Sequence, residues 1–175
     1  MSATPIEERF ADDGTFPNSR LPLLIYRAAV AAAEASPEAM EALFARNGWP
    51  PQWRSGIYPF HHYHSTAHEV LGIAGGSAQL MLGGPEGRAF DVSAGDVIVI
   101  PAGVGHRRLS SSVDFLVVGG YPPGQHWDLL RGEPGERPRA DENIARVPMP
   151  ASDPVEGSEG GLLSAWVSRA PSPSS

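Results

Sequence analysis

Residues 61–76 of the chain have the sequence HHYHSTAHEVLGIAGG, in which four of its six histidines fall within eight positions and Glu69 follows directly. Side chains two residues apart on a strand point to the same face, so we expect His62 and His64 to share one side of a strand. Glu69 opens the apolar run EVLGI, and from an adjacent strand its carboxylate can reach the same pocket. The stretch therefore predicts a cluster of imidazoles beside one carboxylate.

His106 arrives later in the chain, after the apolar run DVIVIP and the turn AGVG. Three imidazoles and one carboxylate make a mixed nitrogen–oxygen site, which suits Fe(II), Mn(II), Ni(II), Cu(II) or Zn(II). The alternative is that these histidines lie on the surface or are satisfied by hydrogen bonds in the core. An H-x-H pair, a following Glu and a distant His are compatible with a divalent transition metal, but their spacing alone leaves both interpretations open.

The stretch around this cluster, residues 55–121, alternates short apolar runs with glycine-rich breaks: EVLGIAGG, AQLMLGG, RAFDVSAG, DVIVIPAG and DFLVVGG. Runs of this length that are rich in Val and Ile predict strands, and their regular spacing predicts a β-sandwich or barrel. The run 97–100, VIVI, is apolar at every position, as a strand covered on both faces requires.

These motifs resemble those of the cupin superfamily. Its first motif, G-x5-H-x-H-x3,4-E-x6-G, corresponds to Gly56, His62, His64, Glu69 and Gly76. The second, G-x5-P-x-G-x2-H-x3-N, corresponds to residues 95–110, with a serine in place of the final Asn. The stretches HYHSTAHEVLGI, GDVIVIPAGVGH and GQHWDLL further resemble a group of single-domain bacterial cupins.

The resemblance implies a mainly β fold, a double-stranded β-helix or jelly-roll barrel with a metal inside it. It assigns the ligand roles to His62, His64, Glu69 and His106, and it supplies no substrate. We expect one cupin domain over residues 1–175, with an N-terminal helical extension (1–53), a barrel core (54–121) and a C-terminal extension (122–175).

Two helices are expected in the N-terminal extension. The first is the run of high helix propensity from Leu23 into the alanines after Val30. The second begins at Ser36 as N-cap and Pro37, and it places Met40, Leu43 and Phe44 on one face. In the C-terminal extension we expect a polar loop, GEPGERPRADEN, a final strand in LLSAWV (162–167) and a disordered tail, RAPSPSS.

Several further side chains are candidates for lesser roles. If His106 points inward, alternation turns Arg108 inward as well, where it could hold a ligand's carboxylate or phosphate; the alternative is a solvated charge at the rim. His61 is expected to pack or to lie at an interface, and His68 is a rival metal ligand. Trp127, next to His126, either covers the mouth of the barrel or anchors the C-terminal extension to the barrel, and we favour the second role. Trp49 and Trp53 are expected to anchor the helical segment.

Composition excludes several functions. The chain of 175 residues has no cysteine, and every one of its 13 basic residues is arginine. Disulfides, thiolate metal sites and Schiff-base chemistry are therefore excluded. The net charge of −7 argues against a nucleic-acid partner, and the chain shows neither a signal peptide nor a membrane span. We expect a cytoplasmic protein that binds a small molecule and forms a homodimer.

Two functions remain open at this stage. One is a metal-dependent enzyme, a dioxygenase or isomerase, acting on a small polar molecule. The other is a non-catalytic cupin that binds or senses a small ligand and keeps its metal for structure.

Overall fold

The structure, a computed structural model, describes residues 4–167. Its strands are β1 (Ile6–Phe10), β2 (Ser19–Tyr26), β3 (Pro51–Ser55), β4 (Glu69–Gly75), β5 (Ser77–Leu82), β6 (Arg88–Ser93), β7 (Val97–Ile100), β8 (His106–Ser111) and β9 (Leu116–Gly120). Its helices are α1 (Pro37–Arg46), α2 (Arg139–Arg146) and α3 (Gly161–Val167), with a 3-10 turn at Ala32–Glu34. Within this part of the chain, no helix combines the length and the apolar character needed to cross a bilayer.

The strands form two antiparallel sheets, which confirms the mainly β prediction. The larger sheet has the order β1-β2-β7-β4-β9-β3, and the smaller one has the order β6-β5-β8. Leu71 and Ile98 of the larger sheet join Leu80 and Val92 of the smaller one in a single buried cluster. The two sheets therefore face each other across an apolar interior.

The larger sheet is covered on both faces, and its side chains alternate accordingly. In β2, Leu23 and Ile25 belong to the cluster between the sheets, whereas Leu24 and Tyr26 belong to a second cluster on the outer face. That outer cluster also contains residues of α1 and α3. A strand buried on both faces has a continuous apolar sequence rather than an alternating one.

This double burial corrects the first of the two predicted helices. Residues 21–26 are all buried and form most of β2, which pairs with β1 and β7. The following alanines form only the 3-10 turn at Ala32–Glu34. The predicted helical extension thus contains two strands of the larger sheet, β1 and β2, in addition to α1.

The second predicted helix is present as α1. The Ser36 side chain accepts a hydrogen bond from the Ala39 amide at 3.0 Å, and Pro37 occupies the first turn. Met40, Leu43 and Phe44 are its buried residues, so they are the face that packs on the sheet. Trp49 is buried in the same cluster, as expected of an anchor for this segment.

Two predictions for the C-terminal extension are wrong. The apolar run at 162–167 is helical and belongs to α3, not to a strand. Residues 139–143, placed in the polar loop, are the start of α2. The predicted disordered tail, residues 169–175, lies outside the described residues.

Candidate metal centre

Three histidines come together at one end of the space between the sheets. His62 and His106 exchange backbone hydrogen bonds of 3.1 and 2.9 Å, which brings their ring centres within 4.1 Å. The ring of His64 lies 5.5 Å from that of His106, and all three residues are buried. One ligand nitrogen from each lies within 4.8 Å of the other two, so the cluster could hold a metal ion.

The backbone around His62 differs from the expected strand. Only His62 and Tyr63 form bridges, to His106 and Leu130 respectively, and the chain around them is irregular. The two-residue alternation nevertheless applies, because Tyr63 packs against Phe16 in a separate cluster while both of its histidine neighbours join the metal centre.

Each of the three rings is oriented by a backbone carbonyl. The Nδ1 atoms lie against Phe60 O for His62 (3.0 Å), Asp128 O for His64, and Val104 O for His106 (3.0 Å). A carbonyl can only accept, so each Nδ1 carries the proton that it donates. Each Nε2 of a neutral ring is then a free lone pair, which is the form in which imidazole binds a metal.

Glu69, the first residue of β4, is buried beside these nitrogens. Its Oε2 lies 3.3 Å from His64 Nε2, and its Oε1 lies 3.2 Å from His106 Nε2. No described residue donates a hydrogen bond to Oε1. A buried carboxylate oxygen without a donor is costly unless a cation or water satisfies it. This donor set therefore fits a divalent metal ion.

The charges at the centre depend on the coupling between Glu69 and His64. Burial alone would lower the pKa of His64, but the Glu69 carboxylate more than offsets this, and the pKa of His64 is raised. Burial alone would raise the pKa of Glu69, but the His64 and His106 rings hold it well below its usual value. Burial, with His106 nearby, lowers the pKa of His62 to about 3. The Glu69 carboxylate therefore favours the charged form of His64, whereas burial favours the neutral form of His62.

Tyr121 and Trp53 extend this arrangement, and neither was predicted from the sequence as a site residue. The Tyr121 hydroxyl donates to Glu69 Oε2 at 2.8 Å and accepts from Trp53 Nε1 at 2.9 Å. Alternation along β9 was the available signal. Val117 lies between the sheets, and Tyr121, four residues later, points to the same side.

A cavity of about 550 Å³ opens onto the three histidines and Glu69. Arg108 lines it too, as alternation from His106 predicts, and Arg107 is not among its lining residues. Arg108 Nε donates to Ile57 O at 3.2 Å, and one terminal nitrogen donates to Ser111 Oγ at 3.3 Å. Its role in binding substrate stays a prediction.

The other candidate residues lie apart from the metal cluster. His61 packs edge-on against Phe16. His68 faces the outer cluster, where its ring lies 4.7 Å from that of Trp166 and its Nδ1 accepts from the Ala102 amide at 2.9 Å. Exposed His126 contributes its backbone carbonyl to Thr66.

Both remaining tryptophan predictions are modified by the structure. Trp127 stacks on Tyr121, with ring centres 4.3 Å apart, and lines the cavity. Trp53 also lines the cavity instead of contacting the outer cluster that holds α1. Aromatic side chains from two distant segments thus surround the approach to the metal centre.

The chain matches known proteins in the region that carries this site. Residues 54–125 match the sequence model of the Cupin family. Over 159 residues the chain is 42% identical to the uncharacterised protein YjlB of Bacillus subtilis (strain 168), and the match covers 90% of this chain and 94% of that protein. The chain therefore belongs to the cupin superfamily. Within the superfamily it is similar to YjlB along nearly its whole length.

The chain also matches solved structures, with little shared sequence. A DUF861 family protein from Thermotoga maritima is 19% identical, with 57% of this chain and 98% of that chain covered and a TM-score of 0.38. Acireductone dioxygenase from Bacillus anthracis, which holds a cadmium ion, is 16% identical, with 53% of this chain and 62% of that chain covered and a TM-score of 0.38. Oxalate decarboxylase from Bacillus subtilis, with Mn(II) centres, is 17% identical, with 74% of this chain and 30% of that chain covered and a TM-score of 0.36.

Proposed function

We propose that this cupin is a metal-dependent enzyme, of the dioxygenase or isomerase type, that acts on a small polar molecule. Its metal would be Fe, Mn, Ni, Zn or Cu, held by Nε2 of His62, His64 and His106 together with Glu69. One observation carries the proposal. Three imidazoles, each oriented by a backbone carbonyl, meet a buried carboxylate oxygen that has no donor among residues 4–167, at the wall of an open cavity.

When bound, such a metal supplies Lewis-acid polarisation of a substrate oxygen, and iron in addition supplies redox chemistry with O2. The chain's own groups have separate tasks. The Tyr121 hydroxyl occupies Glu69 Oε2 and so leaves Oε1 for the ion. Arg108 has donors to spare for an anionic part of the substrate.

The remaining expectations are part of the same proposal. We take residues 1–175 as one jelly-roll cupin domain that works in the cytoplasm as a homodimer. The exposed edges of the larger sheet, β1 and β3, are available for pairing between copies. A monomer mass by light scattering would contradict the dimer without affecting the metal centre.

Elemental analysis combined with a reaction screen tests the function. The protein, produced with mixed divalent metals, should retain about one ion per chain, whereas His64→Ala and Glu69→Gln variants should lose it. His126→Ala, a histidine outside the cluster, is the matched control and should retain the ion. The metal-loaded protein is then screened for oxygen uptake and product formation with small carboxylic acids, phenols and sugars.

The outcomes separate the two functions left open by the sequence. Turnover that depends on the metal and is lost in His64→Ala supports an enzyme. Tight metal binding without turnover of any substrate class would support a binding or sensing protein instead. Metal retention equal in all three variants would refute the assigned ligands.

A further inference from the structure

The mouth of the metal cavity is unusually apolar for a protein surface. Among residues 4–167, seven large apolar side chains are exposed, and four of them line this one cavity: Tyr58, Val113, Trp127 and Leu129. Single exposed apolar residues are ordinary, but a group of them around a concave site marks a place where apolar matter binds. A purely polar ligand would not need such a rim.

Two stacked aromatic pairs contribute to this rim. Tyr121 and Trp127 stack with their ring planes 7° apart, and Tyr58 stacks on Phe60 with ring centres 4.8 Å apart. The Arg131 guanidinium lies 3.7 Å from the centre of the Phe60 ring. Tyr58 itself lines the cavity, and its ring also meets that of His62 edge-on.

Arg108 provides the polar counterpart. It is the one arginine among the described residues that line the cavity, and it forms no ion pair with any described carboxylate. Its known contacts, to Ile57 O and Ser111 Oγ, use two of its five donors. A guanidinium that has free donors at a partly buried site recognises a carboxylate through paired hydrogen bonds.

The spacing between Arg108 and the metal centre limits what can join them. Arg108 and His106 lie two residues apart on one face of β8, a separation of about 7 Å along a strand. His106 is buried at the metal centre, while Arg108 is only half-buried. This distance is on the order of the length of one benzene ring with its substituents.

We propose that the substrate of this site is a small aromatic carboxylate, whose acid group binds Arg108 and whose ring lies between Tyr58 and the Tyr121–Trp127 stack. The proposal rests on the proposed function for the role of the metal, but binding of the acid itself does not require the ion. Aromatic rings favour flat or edge-on contact with other aromatic rings, and this is the feature that distinguishes the ligand from an aliphatic acid.

Isothermal titration of the full chain, both metal-free and zinc-loaded, tests the proposal with three probes: benzoate, cyclohexanecarboxylate and benzyl alcohol. Benzoate should bind both forms and should exceed each of the other two by at least about fivefold, since one lacks the aromatic face and the other lacks the charge. This comparison uses the unaltered protein, so it holds even if a variant fails to fold.

Two pairs of variants then locate the contacts. Arg108→Gln should weaken benzoate binding about tenfold, while Arg107→Gln, its neighbour outside the cavity lining, should change it by less than about twofold. Trp127→Leu should remove the preference for benzoate over cyclohexanecarboxylate. Leu109→Ala, an exposed apolar residue of β8 outside the cavity lining, should preserve that preference.

Several results would overturn the proposal. Equal affinity for all three probes would show that neither the ring nor the acid is recognised. Unchanged benzoate binding by Arg108→Gln would show that Arg108 does not bind the acid group. No benzoate binding, together with a dimer that Leu129→Glu dissociates, would show that the rim is covered by a second copy. Benzoate binding without any metal retention would refute the proposed function alone, and metal retention without benzoate binding would refute this inference alone.

Discussion

The Tyr121 hydroxyl donates a 2.8 Å hydrogen bond to Glu69 Oε2, and it thereby joins the end of β9 to the start of β4 at the metal centre. Burial, with the Glu69 charge beside it, raises the pKa of Tyr121, so the phenol stays protonated and remains a donor. One carboxylate oxygen is thus occupied, and the other, Oε1, faces the histidines with no donor from the described part of the chain. The bond therefore makes Oε1 the freer of the two oxygens.

Tyr121→Phe should therefore weaken metal binding. The substitution removes the donor to Glu69 and also the acceptor of Trp53 Nε1, while the ring that stacks on Trp127 remains. Loss of a group that orients a ligand lowers metal affinity about 10- to 100-fold. Competition titration with a chelator measures the change. Tyr58→Phe is the control, because the Tyr58 hydroxyl bonds no described residue; equal affinities in the two variants would contradict the role of Tyr121.

Gly72→Ala should destabilise the fold without touching the site. Gly72 lies in the middle of β4 on the outer face, where an added Cβ would come 2.7 Å from the Phe44 ring and 2.8 Å from Met40 Sδ. Pushing α1 away from the sheet should lower the free energy of unfolding by about 1–3 kcal/mol, measured by urea denaturation. Gly56→Ala, whose Cβ would meet nothing within 4 Å, should be neutral or slightly stabilising. Equal loss in both variants would contradict this packing.

The histidine cluster was the part of the molecule that could be predicted best from the sequence, because it depends on local periodicity. Alternation placed His62 and His64 on one side, and it placed Arg108 on the side of His106. The carbonyls that orient the rings were not accessible, since Asp128 O reaches His64 from 64 residues away. Nothing in the local sequence specifies such a partner.

The N-terminal prediction failed because residues 21–26 are apolar throughout. Such a run has neither a two-residue nor a 3.6-residue period, so propensity alone decided in favour of a helix. The true state depends on the outer cluster, to which α1 and α3 contribute side chains from other parts of the chain. Burial on both faces of a strand depends on the tertiary structure and cannot be seen in the local sequence. The alanines that follow Val30 favour a helix and reinforced the wrong prediction.

The prediction of a strand at residues 162–167 failed for a related reason. Its helical start is stabilised by Asp153, whose Oδ2 accepts from the Leu162 amide at 3.0 Å across nine residues. Asp153 is fully buried, and it also accepts from the amides of Val155 and Glu156 and from the Tyr26 hydroxyl. A cap supplied from a separate loop leaves no signature of the usual kind just before the helix.

Asp153→Ala should consequently release α3 from the larger sheet. The three amides and the hydroxyl that donate to Asp153 would lose their buried acceptor. The free energy of unfolding should therefore fall by on the order of 3 kcal/mol. Near-ultraviolet circular dichroism should also change, because Trp166 on α3 packs against His68. Tyr26→Phe removes one donor and should cost less. Asp91→Ala, at an exposed position, is the control and should stay within about 0.5 kcal/mol of the parent; a similar small effect for Asp153→Ala would contradict its capping role.

Stability should depend on acid pH through the contact between Asp12 and Arg137. Arg137 donates to Asp12 Oδ1 at 2.7 Å and to Asp141 of α2 at 2.8 Å, and this lowers the pKa of Asp12 from 3.8 to about 2. A carboxyl with a lowered pKa in the folded state stabilises it fully above its unfolded pKa. That contribution is lost as the pH falls through the folded value. Because Asp12 is half-exposed, the contribution at neutral pH should be below about 1 kcal/mol.

The comparison of the parent chain with Asp12→Asn measures this contribution. The variant keeps an acceptor for the Gly14 amide, which Asp12 Oδ1 now serves at 2.8 Å, but it loses the charge and the second oxygen that accepts from Arg137. The difference in unfolding free energy should be present at neutral pH, should shrink between pH 3.8 and about 2, and should be smaller in high salt. Glu86→Gln, an exposed carboxylate in no described ion pair, should show no such trend. A difference that persists below pH 2 in high salt would show that the charge of Asp12 is not its source.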